Sequence, residues 1–276
     1  MMNGDLSRLC IHTITNKPWS LKEALSAYTQ KEVGGVSVWQ NAIEPYGATE
    51  AAKILADYPL KVVSYVRGGF FPSVEKLKRA QALDLNRTLI DEAAAIGAPL
   101  LVLVCGADPG QTLEASRQQI QDGIEAILPH AQACGVKLSI EPLHPMYADT
   151  RSAINTLKQA NDMAEQIAHE YVGVAVDVYH LWWDPDLEKE IQRCGVNGHL
   201  DAFHICDWKS PTEDMLNDRG LMGEGCIPIN QISNWVEKTG FNSHIEVEIF
   251  SNHYWSMDQH HFLDMIIDAY KKLYQV

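Results

Sequence analysis

Lys137-Leu-Ser-Ile-Glu-Pro-Leu-His-Pro145 and Val172-Gly-Val-Ala-Val-Asp-Val-Tyr179 carry the plan of the whole chain. Each opens on a short apolar run, Leu138–Ile140 or Val172–Val176, and each run stops at a carboxylate, Glu141 or Asp177. An acid at the end of a buried run is costly unless a cation compensates it. Two later runs repeat the design: Leu200–Phe203 stops at His204, and Ile245–Ile249 carries Glu246 and Glu248. Glu, Asp, His and Glu are ligand types for a hard or borderline divalent cation. The pattern therefore predicts four side chains converging on one metal.

Working outward, short apolar runs alternate with helical patterns along the rest of the chain. The predicted strands are Leu9–Thr13, Gly35–Val38, Val62–Tyr65, Leu100–Val104, Lys137–Ile140, Gly173–Val176, Leu200–His204 and Ile245–Ile249. Helices are expected from Ser20, which has Glu23 three residues on as in a capping box, and over Ala48–Ala56, Val74–Ile96, Thr112–Cys134, Ser152–Ala168, Asp186–Cys194, Ile229–Lys238 and Asp258–Tyr274. Pro129 marks an expected kink in the fourth of these. The strands are almost continuously apolar, as strands buried on both faces are. Strict alternation of strand and helix implies a parallel sheet, and eight such units in 276 residues predict a single (β/α)₈ TIM barrel spanning 1–276. A doubly wound open sheet is the rival, but no glycine-rich phosphate turn follows an early strand.

Composition narrows the function. Hydrophobic residues make up 46% of the chain, enough for a large core, and the formal charge is −14. A field of that sign repels phosphate backbones, so nucleic acid is not an expected partner. No apolar run approaches the roughly 18 residues needed to span a bilayer, and Met1–Arg8 lacks the pattern of a signal peptide. We therefore expect a cytoplasmic protein without membrane association. The six cysteines are scattered without a Cys-x-x-Cys pair, as expected of free thiols in a reducing compartment.

In a TIM barrel, residues at strand C-termini face the active-site mouth. Glu141, Asp177, His204 and Glu248 then come from four successive strands and meet there. Glu246 and Glu248 are two apart and so point to the same side of their strand. One can be the ligand while the other orients a neighbour. His12, Trp39, Arg67 and Cys105, at or just past the ends of the first four strands, supply the opposite wall, an aromatic and polar lining suited to a sugar. His144, three residues beyond Glu141, is a second candidate base.

Five stretches resemble the xylose-isomerase-like TIM-barrel superfamily: Ser139–Pro145, Val176–Pro185, Phe203–Trp208, Gly223–Pro228 and Val247–Ser251. The group includes inositol-catabolism isomerases, ketose 3-epimerases, metal-dependent AP endonucleases and C-glycoside deglycosidase α subunits. The resemblance implies metal ligands at Glu141, Asp177, His204 and Glu248, with Glu141 and Glu248 doubling as proton carriers. It implies substrate contacts from His180, in Asp-x-x-His, and from Arg219 and Glu224, in and before the Gly-Glu-Gly loop. The implied activity is isomerisation or epimerisation of a keto-sugar or polyol derivative through a metal-stabilised enediolate. The implied cofactor is one divalent ion, Mn²⁺ before Mg²⁺, Co²⁺ or Zn²⁺ for so carboxylate-rich a set.

The alternative is a lyase acting on an oxidised (3-keto) glycoside, with His144 as base and a small partner subunit. A homo-oligomer is equally compatible with the sequence. Without a glycine-rich phosphate cradle, a phosphorylated substrate is not the leading expectation.

Overall fold

The computed structural model describes residues 5–275; Met1–Gly4, part of the N-terminal reading above, lie outside it, as does Val276. Ten strands are described: β1 (Leu9–His12), β2 (Gly35–Trp39), β3 (Lys61–Gly69), β4 (Leu100–Val104), β5 (Lys137–Glu141), β6 (Val172–Asp177), β7 (Leu200–Ile205), β8 (Asp207–Trp208), β9 (Arg219–Gly220) and β10 (Ile245–Val247). Eight close into a barrel in the order β1-β10-β7-β6-β5-β4-β3-β2, and every neighbouring pair is parallel. The predicted TIM barrel is what the chain forms.

Local chemistry places the helices. Ser20 caps Leu21–Gln30 in a reciprocal capping box with Glu23, satisfying backbone N–H groups that the first turn leaves unpaired. Thr112 caps Leu113–Cys134, and Gly135 ends it in the left-handed conformation. Pro129 lies inside that helix, which runs on unbroken to Cys134. Between strands and helices the large aliphatic side chains form the main core. Inside the barrel a smaller plug of Val66, Leu100, Val102, Ala175 and Ala202 sits beneath Trp39. The opposite wall is polar. Cys10, Ser37, Ser64 and Glu246 are all buried there.

The structure departs from the sequence reading at several element boundaries. The helix expected from Ser152 begins at Leu157, capped by Thr156, because Ser152 is used elsewhere: it bridges Gly106 and its hydroxyl turns back on Ile154. β3 extends to Gly69, so Arg67 lies within the strand and not beyond it. β10 stops at Val247, leaving Glu248 just past its end. The long loop after β7, residues 206–228, carries a small antiparallel pair, β8 with β9, Trp208 opposite Arg219.

Candidate metal centre and active site

Strand register brings the four predicted ligands together. Glu141 and Asp177 end β5 and β6, His204 lies in β7 directly opposite Asp177, and Glu248 follows β10. One oxygen or ring nitrogen from each lies within 4.8 Å of the others, and all four residues are buried. His204 Nδ1 stands 3.0 Å from Glu141 Oε1. Around the barrel the four come from adjacent strands β10-β7-β6-β5, so Glu248 and Glu141 are the outer pair of the arc.

The electrostatics would suit a cation. Four buried carboxylates, Glu141, Asp177, Glu246 and Glu248, face one another across this space. Against them stand the Arg219 guanidinium and the imidazoles of His12 and His204. Burial pushes the Asp177 carboxyl up to about 7, even against the pull of Arg219. Burial alone would strip His204 of its proton, but Glu246 and Glu141 outweigh it and raise the ring to about 10. Glu248 is held well below the usual carboxylate range, against its burial, by His12 and Arg219. A divalent ion would relieve this crowding of like charge. The donor set, three carboxylates and one imidazole, fits such an ion.

Glu246 occupies a layer below. Its Oε2 accepts hydrogen bonds from Ser37 Oγ at 2.5 Å and Ser64 Oγ at 3.1 Å, and lies 3.1 Å from His12 Nε2. The same oxygen is 3.7 Å from His204 Nε2, a buried nitrogen without a hydrogen-bond partner. Glu246 thus bonds the His12 imidazole and acts on His204 through its charge alone. His12 is itself enclosed. Its Nδ1 has Trp39 Nε1 at 3.1 Å and Glu248 Oε1 at 3.0 Å. The indole needs a bare nitrogen and the carboxylate a protonated one, so a cation that takes up the charge of Glu248 favours the indole bond.

Arg219 closes the other side. Its Nη1 donates to Glu248 Oε2 at 2.8 Å and lies 3.4 Å from Asp177 Oδ2, and its guanidinium carbon sits 4.4 Å over the Tyr179 ring. His180 Nε2 is 3.4 Å from Arg219 Nη2, and its burial, then Arg219, hold it neutral by lowering its pKa well below the usual value. Arg219 Nε and His180 Nδ1 are buried without partners. Each such atom costs about 1–3 kcal/mol, which a bound polar ligand would recover.

Residues 31–266 match the model of the family described as xylose isomerase-like TIM barrel. The chain belongs to that family. Among relatives, an inosose isomerase from Halalkalibacterium halodurans is 19% identical over 68% of this chain, and the match covers 66% of that relative's length, just under two thirds. Among solved structures, protein SMc04130 from Sinorhizobium meliloti 1021 is 41% identical with a TM-score of 0.94, covering 98% of this chain and 99% of that one. The fold is also shared with the IOLI protein solved with a binding zinc atom, at 16% identity, a TM-score of 0.84, and 96% and 97% coverage.

Arg67 feels the charges of Glu141 and Glu248, against which burial, then Arg151, pull its pKa down to about 10. Arg67 and Trp39 also line a cleft of about 600 Å³ with Lys17, Tyr65 and Glu92. His144 is half-buried among aromatic rings, 5.1 Å from Trp208 and 5.7 Å from Trp183. Glu224 lies apart from the carboxylate cluster: its Oε2 accepts from the Tyr254 hydroxyl and from Leu221 N. It braces the Gly-Glu-Gly loop.

Four residues that shape the mouth were given no role from sequence. Asp207 is buried and accepts the backbone N–H groups of Trp208, Gly223 and Ile227 at 2.8–3.0 Å. Gly225 packs so closely that a Cβ there would lie 2.1 Å from Trp208 O. The hydroxyls of Tyr147 and Tyr179 both donate to the Met215 carbonyl, at 2.5 and 3.1 Å, strapping the long loop across the mouth. The signal was present: Asp207 sits in the Phe203–Trp208 stretch, and Tyr179 closes the run that ends in Asp177.

Proposed function

We propose that this chain is a divalent-metal-dependent isomerase or epimerase of a keto-sugar or polyol derivative. The observation that carries this reading is the buried cluster of Glu141, Asp177, His204 and Glu248, and the likeness to inosose isomerase supports it. A cation bound there would polarise a substrate carbonyl and its neighbouring hydroxyl and so acidify the C–H between them. Glu141 and Glu248 flank the space from opposite ends of the arc. One takes the proton from carbon and the other returns it from the far side, as general bases and acids do. Arg219 fixes the Glu248 carboxylate, while His180 and Arg219 have unpaired N–H or N atoms for substrate oxygens. Trp208, with Tyr179 stacked on it at 4.8 Å, forms an apolar wall for one face of a sugar ring. Manganese is our choice of metal for this carboxylate-rich set.

His144 gives the lyase alternative no geometric support. Its Nδ1 accepts the Met146 N–H at 3.2 Å, and burial lowers its pKa, keeping the ring neutral. The single ring proton is then on Nε2, which makes His144 a hydrogen-bond donor at the mouth. We expect His144→Ala to slow turnover by about tenfold, the low side of general acid–base effects, and His144→Gln to recover part of that loss. Wild-type turnover in His144→Ala would leave the ring as aromatic packing only.

The test is a set of inososes and free or oxidised ketoses incubated in deuterated water with the Mn²⁺-loaded protein and followed by NMR. Deuterium entering one C–H position with total substrate and product conserved is the expected result. Release of two products, or no exchange with any of them, would sink the reading. Metal dependence has a separate check. At 100 times its dissociation constant, a bound ion adds about 2.7 kcal/mol of stability. Mn²⁺ should therefore raise the melting temperature and EDTA should reverse the rise.

A further inference from the structure

A second cluster of donor atoms lies on two helices of the outer layer of the fold. His130 and Cys134 are four residues apart on helix Leu113–Cys134, so they share one face. Asp91 reaches them from the adjacent helix Lys76–Ala95. His130 Nε2 is 2.7 Å from Asp91 Oδ1, and Cys134 Sγ is 3.6 Å from the same oxygen and 3.8 Å from the same nitrogen.

These spacings suit a tetrahedral ion. With bonds of about 2.0–2.3 Å, zinc sets its oxygen, nitrogen and sulfur ligands roughly 3.3–3.6 Å apart. The two edges to sulfur are already close to that, and the oxygen–nitrogen edge needs to open by roughly half an ångström. A nucleophilic relay is excluded by the same geometry. In a Cys-His-Asp relay the thiol and the carboxylate bind opposite ring nitrogens, whereas here both face Nε2. Asp91 is exposed and the other two are half-buried, so an ion has a path in and room for a solvent ligand.

We propose that Asp91, His130 and Cys134 form a second divalent-metal site, selective for zinc or a similar borderline cation, that clips together the two longest helices of the fold. It owes nothing to the chemistry proposed for the mouth, and it differs from the mouth in having a sulfur ligand.

That sulfur supplies the test. Metal-free full-length protein is titrated with Co²⁺ and followed by absorption. Cobalt at the mouth, held by oxygen and nitrogen, gives visible ligand-field bands, whereas cobalt on Cys134 adds an intense thiolate-to-metal band in the near ultraviolet. We expect that band in the unaltered protein and in Cys226→Ser, which removes the exposed thiol. We expect it to vanish in Cys134→Ser, with bound cobalt falling by one ion per chain and the visible bands of the mouth unchanged. His130→Ala should weaken cobalt binding at the same site. Absence of the near-ultraviolet band at cobalt saturation, or its survival in Cys134→Ser, would overturn the proposal.

Discussion

Glu248→Gln is expected to leave the barrel folded but to abolish turnover and empty the metal site. The residue is proposed to ligate the ion and to move a proton, so the substitution removes both roles at once. Loss of the proton role alone is worth about 10²–10⁴ in rate. Glu246→Gln is the informative partner. Its Oε2 is already engaged by Ser37, Ser64 and His12, so its amide analogue should keep the metal bound, with affinity reduced by about 10–100-fold as for other residues that orient ligands. Metal content after dialysis and deuterium exchange, measured on both variants, separate the roles. If Glu246→Gln loses its metal and Glu248→Gln keeps it, the two glutamates have been assigned the wrong way round.

Asp207→Ala is expected to have the largest effect on stability. The carboxylate is buried and receives three backbone N–H groups from the loop that carries Arg219 and Glu224. Hydrogen bonds to a charged group contribute about 1.5–3 kcal/mol each, and the stranded donors add a penalty of their own. A loss of at least about 2 kcal/mol follows, or roughly 4 °C or more in melting temperature for a domain of this size. Because Arg219 hangs from the same loop, proteolysis between Lys209 and Cys226 should quicken as well. An unchanged melting temperature with an intact loop would show that Asp207 is dispensable.

Much of this molecule was legible before its structure. The strands were readable because parallel barrel strands are buried on both faces and so are nearly all apolar. Their end residues named the cluster for the same reason, since a charged residue closing such a run has only the mouth to face. The helix start at Leu157 was not readable. Ser152 and Thr156 are both good capping letters, and only the contacts of Ser152 with Gly106 and Ile154 decide between them. Glu246 and Glu248 could not be separated by spacing either. What distinguishes them is Ser37 from β2 and Ser64 from β3, strands far away in sequence. Glu224 reads as a substrate contact from its motif; its bond to Tyr254 became visible only once the helix Asn252–Trp255 was placed beside the loop.

The strap over the mouth has a consequence for how this chain can diverge. Both tyrosine hydroxyls grip the main-chain carbonyl of residue 215, a group every amino acid carries, while the Met215 side chain points outward and is 55% exposed. Mutation at that position can therefore try new shapes and charges without undoing the fastening, so under the proposed function substrate preference can drift there while the carboxylate cluster stays as it is.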